Sequence, residues 1–313
     1  MYNLSTVDSG DETFQPKNRL ALIGVPSSAG ARRRGQEGAP AAFRAAGLKE
    51  RLREKGLDVA DLGDLPTVSF RPDPEHARQQ NVGAVVDVAR QVADRVSQAV
   101  ASRRVPLVLG GDCTVSVGVI AGLLQHRARL GLLYFDGDVD LNTPETTRSG
   151  ILDGMVVSHV LGRGAEALTG VGPRSPLLTE EDIVLFGYDL ESGWIDPPEL
   201  ETLERCRMSK YPVGLVRADA AAAAKEALRH LESRSEAILV HFDVDVIDTP
   251  AADVPHPKGL DADSAFAALN VFAAAPKCAG VVVTELNVEH DPNGRQADRL
   301  VRGLVEALGA RIG

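Results

Sequence analysis

Leu130-Gly-Leu-Leu-Tyr-Phe-Asp-Gly-Asp-Val-Asp140 is the stretch that decides the fold. Its first six residues form an unbroken apolar run without polar alternation. That is the pattern of a strand covered on both faces, as in a parallel sheet between helix layers. The run feeds directly into three aspartates spaced two apart. In an extended segment, residues two apart share a face, so Asp136, Asp138 and Asp140 are expected to point the same way. Three carboxylates on one face repel one another, and buried charge has to be compensated. Protonation, wide exposure or a bound cation would each relieve the repulsion. A solvated acidic loop is the plainer alternative.

Outward from this stretch, short apolar runs alternate with segments of helical period. Arg19 to Val25, Leu57 to Leu62, Pro106 to Leu109, Ile183 to Phe186, Ala237 to Phe242 and Gly280 to Thr284 read as strands. Helices are predicted from about Pro40 to Lys55, Asn81 to Arg103, Thr114 to His126, Asp153 to Leu161, Ala218 to Glu232, Asp263 to Ala274 and Ala297 to Ala310. Pro40 suits a first helical turn and Gly56 a helix end. The alternation predicts an α/β fold with three α/β/α layers around a mostly parallel central sheet. With neither a repeat nor a linker in view, residues 19–313 are expected to form one domain behind a loose polar tail, residues 1–18.

Two further strand ends carry polar chemistry. Leu109-Gly-Gly-Asp-Cys-Thr114 allows a tight turn and close backbone approach; alone it reads as a strand-to-helix turn capped by Asp112 or Thr114. His241-Phe-Asp-Val-Asp-Val-Ile-Asp248 again pairs acids, Asp243 and Asp245, at a strand end. One Asp-x-Asp is weak evidence. Two of them in one parallel sheet are stronger, because ligands gather beyond the carboxyl ends of parallel strands. Five carboxylates in one crevice favour oxygen-seeking ions such as manganese or magnesium, and a bridged pair of such ions would activate water.

Composition narrows the partners. The 313 residues carry a net charge of -10, and the basic triplet Arg32-Arg33-Arg34 is better read as a solvated loop than as a phosphate site. Nucleic acid is therefore not expected as a partner. No apolar run approaches the roughly 18–20 residues of a membrane span, and the polar start lacks the apolar stretch of a secretory signal. Cys113, Cys206 and Cys278 are widely separated and odd in number, which suggests a reducing, cytoplasmic setting rather than a disulfide framework.

With these segments in place, the sequence resembles the arginase/agmatinase/formiminoglutamase (ureohydrolase) family over nearly its whole length. Ile23-Gly-Val-Pro26, with Gly35 and Gly38-Ala-Pro40, looks like the family's first loop. Gly110-Gly-Asp-Cys113 looks like Gly-Gly-Asp-His, and Asp136-Gly-Asp-Val-Asp140 like Asp-Ala-His-x-Asp. Ser149-Gly-Ile-Leu-Asp-Gly-Met155 looks like Ser-Gly-Asn-x-His-Gly-Met. Phe242-Asp-Val-Asp-Val-Ile-Asp248 looks like the Asp-x-Asp-x-x-Asp motif, and Thr284-Glu-Leu-Asn287 like the late Glu-x-Asn motif.

The resemblance implies a pair of Mn(II) ions, with Mg(II) or another divalent ion as substitute, acting on a guanidino, amidino or formimino small molecule. It implies the metal ligands Cys113, Asp136, Asp138, Asp140, Asp243 and Asp245, with Asp136 and Asp243 bridging. Glu285 would orient the substrate's guanidinium or amidine, and Asp153 stands where the family has a proton-shuttling histidine. It also implies a homo-oligomer, trimer or hexamer. Cys113, Asp138 and Asp153 each replace an imidazole of the family. The more anionic ligand set predicts a stronger hold on a divalent ion and a less acidic bound water. His241, on the Asp243 face, is a candidate to supply a missing imidazole in catalysis. His256, in the shortened loop Ala252-Asp-Val-Pro-His-Pro-Lys258, is expected near the substrate entrance. Ser149, Asp189 and Glu191 are the remaining polar candidates for substrate contacts, and Ile151 replaces an asparagine that helps read the amino-acid end of arginine. Loss of the usual imidazoles leaves a second reading open: a metal-free, non-catalytic relative serving as a binding or regulatory subunit.

Overall fold

The computed structural model describes residues 18–312, so the expected N-terminal tail falls outside the described residues except for Asn18. Eight strands form one sheet: β1 Arg19–Gly24, β2 Asp58–Asp64, β3 Val105–Leu109, β4 Leu130–Phe135, β5 Ile183–Phe186, β6 Ser209–Tyr211, β7 Ala237–Asp243 and β8 Cys278–Thr284. Their order across the sheet is β2-β1-β3-β8-β7-β4-β5-β6. Every pairing between these strands is parallel, which sharpens the expectation of a mostly parallel sheet.

Side-chain alternation divides the core into two layers. Leu133 and Phe135 of β4 join Val240 and Phe242 of β7 under the helices Ala220–Glu232, Ala262–Ala274 and Arg295–Gly309. Leu132, Tyr134 and Leu239 face the opposite layer, with helices Val82–Ala101 and Val115–Leu124. Phe135 meets Phe186 and Phe272 edge-on, at ring-centroid distances of 5.0 and 5.9 Å, the geometry aromatic quadrupoles favour.

The order of the strands positions the site. From β3 the chain crosses two sheet positions to reach β4, and β8 and β7 fill the gap only later. From β4 the chain goes on to β5 on one side, and from β7 to β8 on the other, so the switch point at which a parallel sheet opens a crevice beyond its carboxyl ends lies between β4 and β7. Register then aligns the acids. Tyr134 pairs with His241 and Phe135 with Phe242, so the next residues, Asp136 and Asp243, emerge side by side. Asp243 pairs in turn with Thr284 of β8.

One predicted helix is divided. Residues 40–55 form two helices, Ala39–Ala45 and Leu48–Glu54, because Gly47 takes a left-handed conformation at φ 78°. A side chain is strained there. We expect Gly47→Ala to lower stability by about 1 kcal/mol, read as a lower urea midpoint at unchanged slope; an unchanged midpoint would show that the break tolerates a side chain.

Candidate metal and substrate site

The two Asp-x-Asp motifs use the same local device. Asp138 N–H donates to Asp136 Oδ1 at 2.7 Å, and Asp245 N–H donates to Asp243 Oδ1 at 2.8 Å. Each first aspartate thus turns the chain through a hydrogen bond to the amide two residues on. The extended geometry expected for Asp136 to Asp140 is therefore replaced by a turn, and Asp140 sits at φ 47°. Gly137 N–H donates to Asp245 Oδ1 at 3.0 Å and ties the two turns together.

Among the described residues, donor atoms gather in three groups, each with its members within 4.8 Å of one another: Cys113, Asp136, His241 and Asp243; Cys113, Asp153 and Glu285; and Asp138, Asp245 and His256. Asp140 lines the same cavity but stands outside these groups, held by a hydrogen bond from the Tyr134 hydroxyl. The cavity measures about 270 Å³, below the roughly 300–1,000 Å³ of pockets for drug-sized ligands. It therefore suits a small metabolite.

Cys113 is held from three sides. Its N–H donates to Asp153 Oδ1 at 2.7 Å, its thiol donates to Asp243 Oδ2 at 2.7 Å, and Thr284 Oγ1 lies 3.1 Å from the sulfur. Burial, then the charges of Asp243, Asp153, Glu285 and Asp136, push the thiol well up. A thiolate at this position therefore requires a cation beside it. Burial also raises Asp140, Asp153, Asp243 and Glu285 well above the usual carboxylate range, with neighbouring carboxylates adding to each. Burial and the Asp136 charge push Asp245 up to about 8. Protonation or a cation, two of the three resolutions read from the sequence, remain for these acids; wide exposure is not the one used.

His241 is fully buried, stacked on Tyr134 at 4.2 Å between ring centroids. Ser116 Oγ holds its Nδ1 at 2.8 Å, and Nε2 lies 3.4 Å from Asp136 Oδ2 and 3.5 Å from Cys113 Sγ. It sits behind the acids rather than on the cavity wall. His256 is likewise fully buried, behind Asp138 and Asp245. Burial works to lower its pKa, but Asp138, Asp245 and Asp136 outweigh that and hold it up at about 9.

Glu285, at φ 69°, accepts a short hydrogen bond from Gln36 Nε2, while its Oε1 is buried without a hydrogen-bond partner among the described residues. Ser149, Ile151 and Asp153 line the cavity. Asp189 and Glu191 stand outside its lining: Asp189 anchors the backbone at Gly137, and the exposed Glu191 pairs with Lys258 at 2.7 Å. Asp112 serves the loop itself, accepting from Gly30 N–H, Thr114 N–H and Ser27 Oγ.

Sequence reasoning passed over several wall residues. Arg32, from the basic triplet, lies 5.1 Å over the Trp194 ring, and both line the cavity with Gln36 and Asp253. Trp194 is the single tryptophan of the chain, and a lone aromatic in a polar loop was an available signal. Gln36 carried none, being a neutral amide in a glycine-rich loop.

Comparison with known proteins bears on the family and the fold. A family model described as the arginase family matches residues 18–309. The arginase of Bacillus caldovelox is 31% identical over 299 residues, covering 94% of this chain and 99% of its own. Its crystal structure superposes with a TM-score of 0.86 at 30% identity, over 93% of this chain and 98% of that one. Arginase from Bacillus cereus gives a TM-score of 0.83 at 28% identity, over 92% and 97%. Formimidoylglutamase from Bacillus subtilis, at 18% identity and a TM-score of 0.74 over 99% and 96%, shares the fold.

Proposed function

The chain belongs to the arginase family, and from that premise we propose that it is a metal-dependent hydrolase of non-peptide C–N bonds in a guanidino, amidino or formimino compound. The observation that carries this reading is the register of β4 against β7. It sets two buried aspartates side by side, with Cys113 and His241 donor atoms within 4.8 Å.

The donor set fits divalent metal. It is mainly hard carboxylate oxygen with a thiol and imidazoles close by, and Asp138 Oδ1 and Glu285 Oε1 are buried without hydrogen-bond partners among the described residues. Cys113, Asp136, Asp138, Asp140, Asp243 and Asp245 would hold Mn(II), as a pair, or Mg(II) in its place. The chemistry such ions supply when bound is Lewis acidity that makes water a nucleophile near neutral pH.

The remaining work falls to the chain's own groups. Glu285 offers its free oxygen to a guanidinium N–H. Asp153 and Glu285 offer donor atoms within 4.8 Å of each other, burial and neighbouring carboxylates raise both well above the usual range, and two buried carboxyls this close hold a proton between them. That proton is available to the departing amine nitrogen, which leaves readily only when protonated. Arg32 stands with Arg148 on the wall of a cavity whose other charged lining residues are acids, so a substrate cationic at one end and anionic at the other fits best. Ile151 offers no side-chain hydrogen bond at the place where the family resemblance implies an asparagine. The substrate proposed is therefore a guanidino or amidino acid other than arginine.

Two measurements test the proposal. Metal analysis of purified protein is expected to find about two Mn(II) per chain. Urea and ammonia release is then assayed across guanidino, amidino and formimino compounds. No metal uptake and no turnover would favour the non-catalytic reading. Glu285→Gln keeps the Gln36 contact region filled but removes the charge facing the substrate. We expect it to lower kcat/KM by about 100-fold, on the scale of a single charge-assisted contact, with little change in Mn(II) stoichiometry. A loss confined to metal uptake would move Glu285 from substrate to metal.

A further inference from the structure

We infer that His256 is a metal-ligating residue, completing with Asp138 and Asp245 one of the sites for a divalent ion. The inference rests on the metal-dependent reading above and adds a ligand from a loop that carries no recognised motif.

Three observations support it. His256 is fully buried, yet neither ring nitrogen has a hydrogen-bond partner among the described residues. A buried polar group without a hydrogen bond is costly, and long ion pairs with Asp138 and Asp245 are what offset that cost here. Its Nε2 lies 3.6 Å from Asp138 Oδ2 and 3.7 Å from Asp245 Oδ2, beyond hydrogen-bond range. Separations of this size lie at and just beyond the upper end for ligands sharing one ion, a gap that a bound ion closes with a small inward shift: with metal–ligand bonds of about 2.0–2.2 Å, neighbouring donors stand roughly 3–3.6 Å apart. Asp138 Oδ1, in the same group, is also unpartnered.

The second support is steric. Gly137 lies between the two aspartate turns, and a Cβ there would meet His256 Nε2 at 2.7 Å and Asp245 Oδ1 at 2.9 Å. The motif resembled at this point reads Asp-Ala-His, whereas this chain reads Asp-Gly-Asp. The alanine methyl and the imidazole are both absent, and a different imidazole occupies the space the methyl would block.

The third support is the loop. His256 sits between Pro255 and Pro257, which restrict its backbone. Gly259 N–H closes a turn on His256 O at 2.8 Å, and the Ile247–Leu260 bridge ties the loop back to the strand end. The ring is thus delivered by a short, constrained segment, as a ligand placed by rigid surroundings requires.

A rival reading is a protonated His256 that offsets the two carboxylates without metal. Titration of metal-stripped full-length protein with Mn(II), by calorimetry and by the ¹⁴N modulation of the Mn(II) spin echo, separates the two. Wild type is expected to bind about two ions. In His256→Gln one ion is expected to bind at least 10-fold more weakly, with weaker ¹⁴N modulation, while the other is retained. Gly137→Ala, which replaces no proposed ligand but crowds His256 Nε2 and Asp245 Oδ1, is expected to reproduce the weakening by displacing the ring. Thermal melts identify any variant that fails to fold, and the other variant then decides. Unchanged affinities and ¹⁴N modulation in a folded His256→Gln protein would overturn the inference while leaving the hydrolase reading intact. A wild-type protein that takes up no Mn(II) would overturn both.

Discussion

Asp243→Asn is expected to reverse the relation between stability and function: lower activity by at least about 10³-fold, yet a higher melting temperature in EDTA. Asp243 is fully buried, and burial together with the Asp245 and Asp136 charges raises its carboxyl well above the usual range. Asparagine has the same shape and keeps an oxygen for the Asp245 N–H, now 2.8 Å away. Its amide can donate toward Thr284 Oγ1 in place of accepting from Cys113. The repulsion disappears while the packing stays, a gain on the order of 1–2 kcal/mol and typical of relieving a strained functional site. With Mn(II) the order inverts. Wild type would gain about 2.7 kcal/mol at a metal concentration 100 times its Kd, whereas the variant, missing a carboxylate that the proposed reading shares between two ions, would gain little. The loss of turnover follows because groups that act as a unit fail together. Paired melts in EDTA and in Mn(II), with and without the substitution, check this. A variant that melts lower in EDTA, or keeps the full Mn(II) shift, would contradict it.

That inversion rests on a juxtaposition that was only half legible in the sequence. The apolar runs ending at Phe135 and Phe242 announced two buried strands, and the acids beyond them announced a site. The fold class followed from the same alternation, and the family resemblance supplied the roles. What no local pattern could fix was adjacency. β4 and β7 are separated by two other strands in the chain, and only the sheet order and the pairing of Phe135 with Phe242 bring Asp136 to Asp243. The period-two argument for Asp136, Asp138 and Asp140 reached the right neighbourhood by the wrong geometry, because side-chain-to-amide hydrogen bonds turn the chain where an extended run was expected.

Other features were hidden for identifiable reasons. The edge strand Ser209–Tyr211 is three residues long and contains a lysine, too short and polar for a period to register. Helix Pro197–Arg205 was signalled by Asp196 and Glu199 as a capping box around Pro197 and went unread. Gly47 was readable as a weak point inside a helical pattern, though not as a left-handed break. His256 drew notice only for its nearness to the substrate entrance; its burial behind Asp138 depends on a glycine 119 positions earlier leaving room, a tertiary fact. Such cases mark the boundary between what periodicity encodes and what packing decides.

His159 offers a test of packing that is independent of the proposed metal site, with a pH signature of known sign. The ring is fully buried in helix Val156–Val160, with neither nitrogen hydrogen-bonded among the described residues. Burial alone lowers its pKa from 6.5 to about 3. The unfolded chain therefore takes up a proton near pH 6.5 that the folded chain refuses until about pH 3. Below pH 6.5 the unfolded state binds more protons, and stability falls as pH drops, levelling off near pH 3. At 1.36 kcal/mol per pH unit the cost from this residue is roughly 2–3 kcal/mol by pH 4.5 and approaches about 5 kcal/mol at the limit. Other carboxyls titrate over the same range, so the comparison is with His159→Leu, which fills the site without a titrating group. At pH 8 the variant is expected to be as stable as wild type or slightly more so, since an apolar side chain replaces an unpaired polar one. From pH 6.5 downward the urea-unfolding free energies are expected to diverge in favour of the variant by about 1.4 kcal/mol per pH unit. Parallel curves for the two proteins would mean that the imidazole is solvated or paired, and that the helix packs differently from the arrangement described.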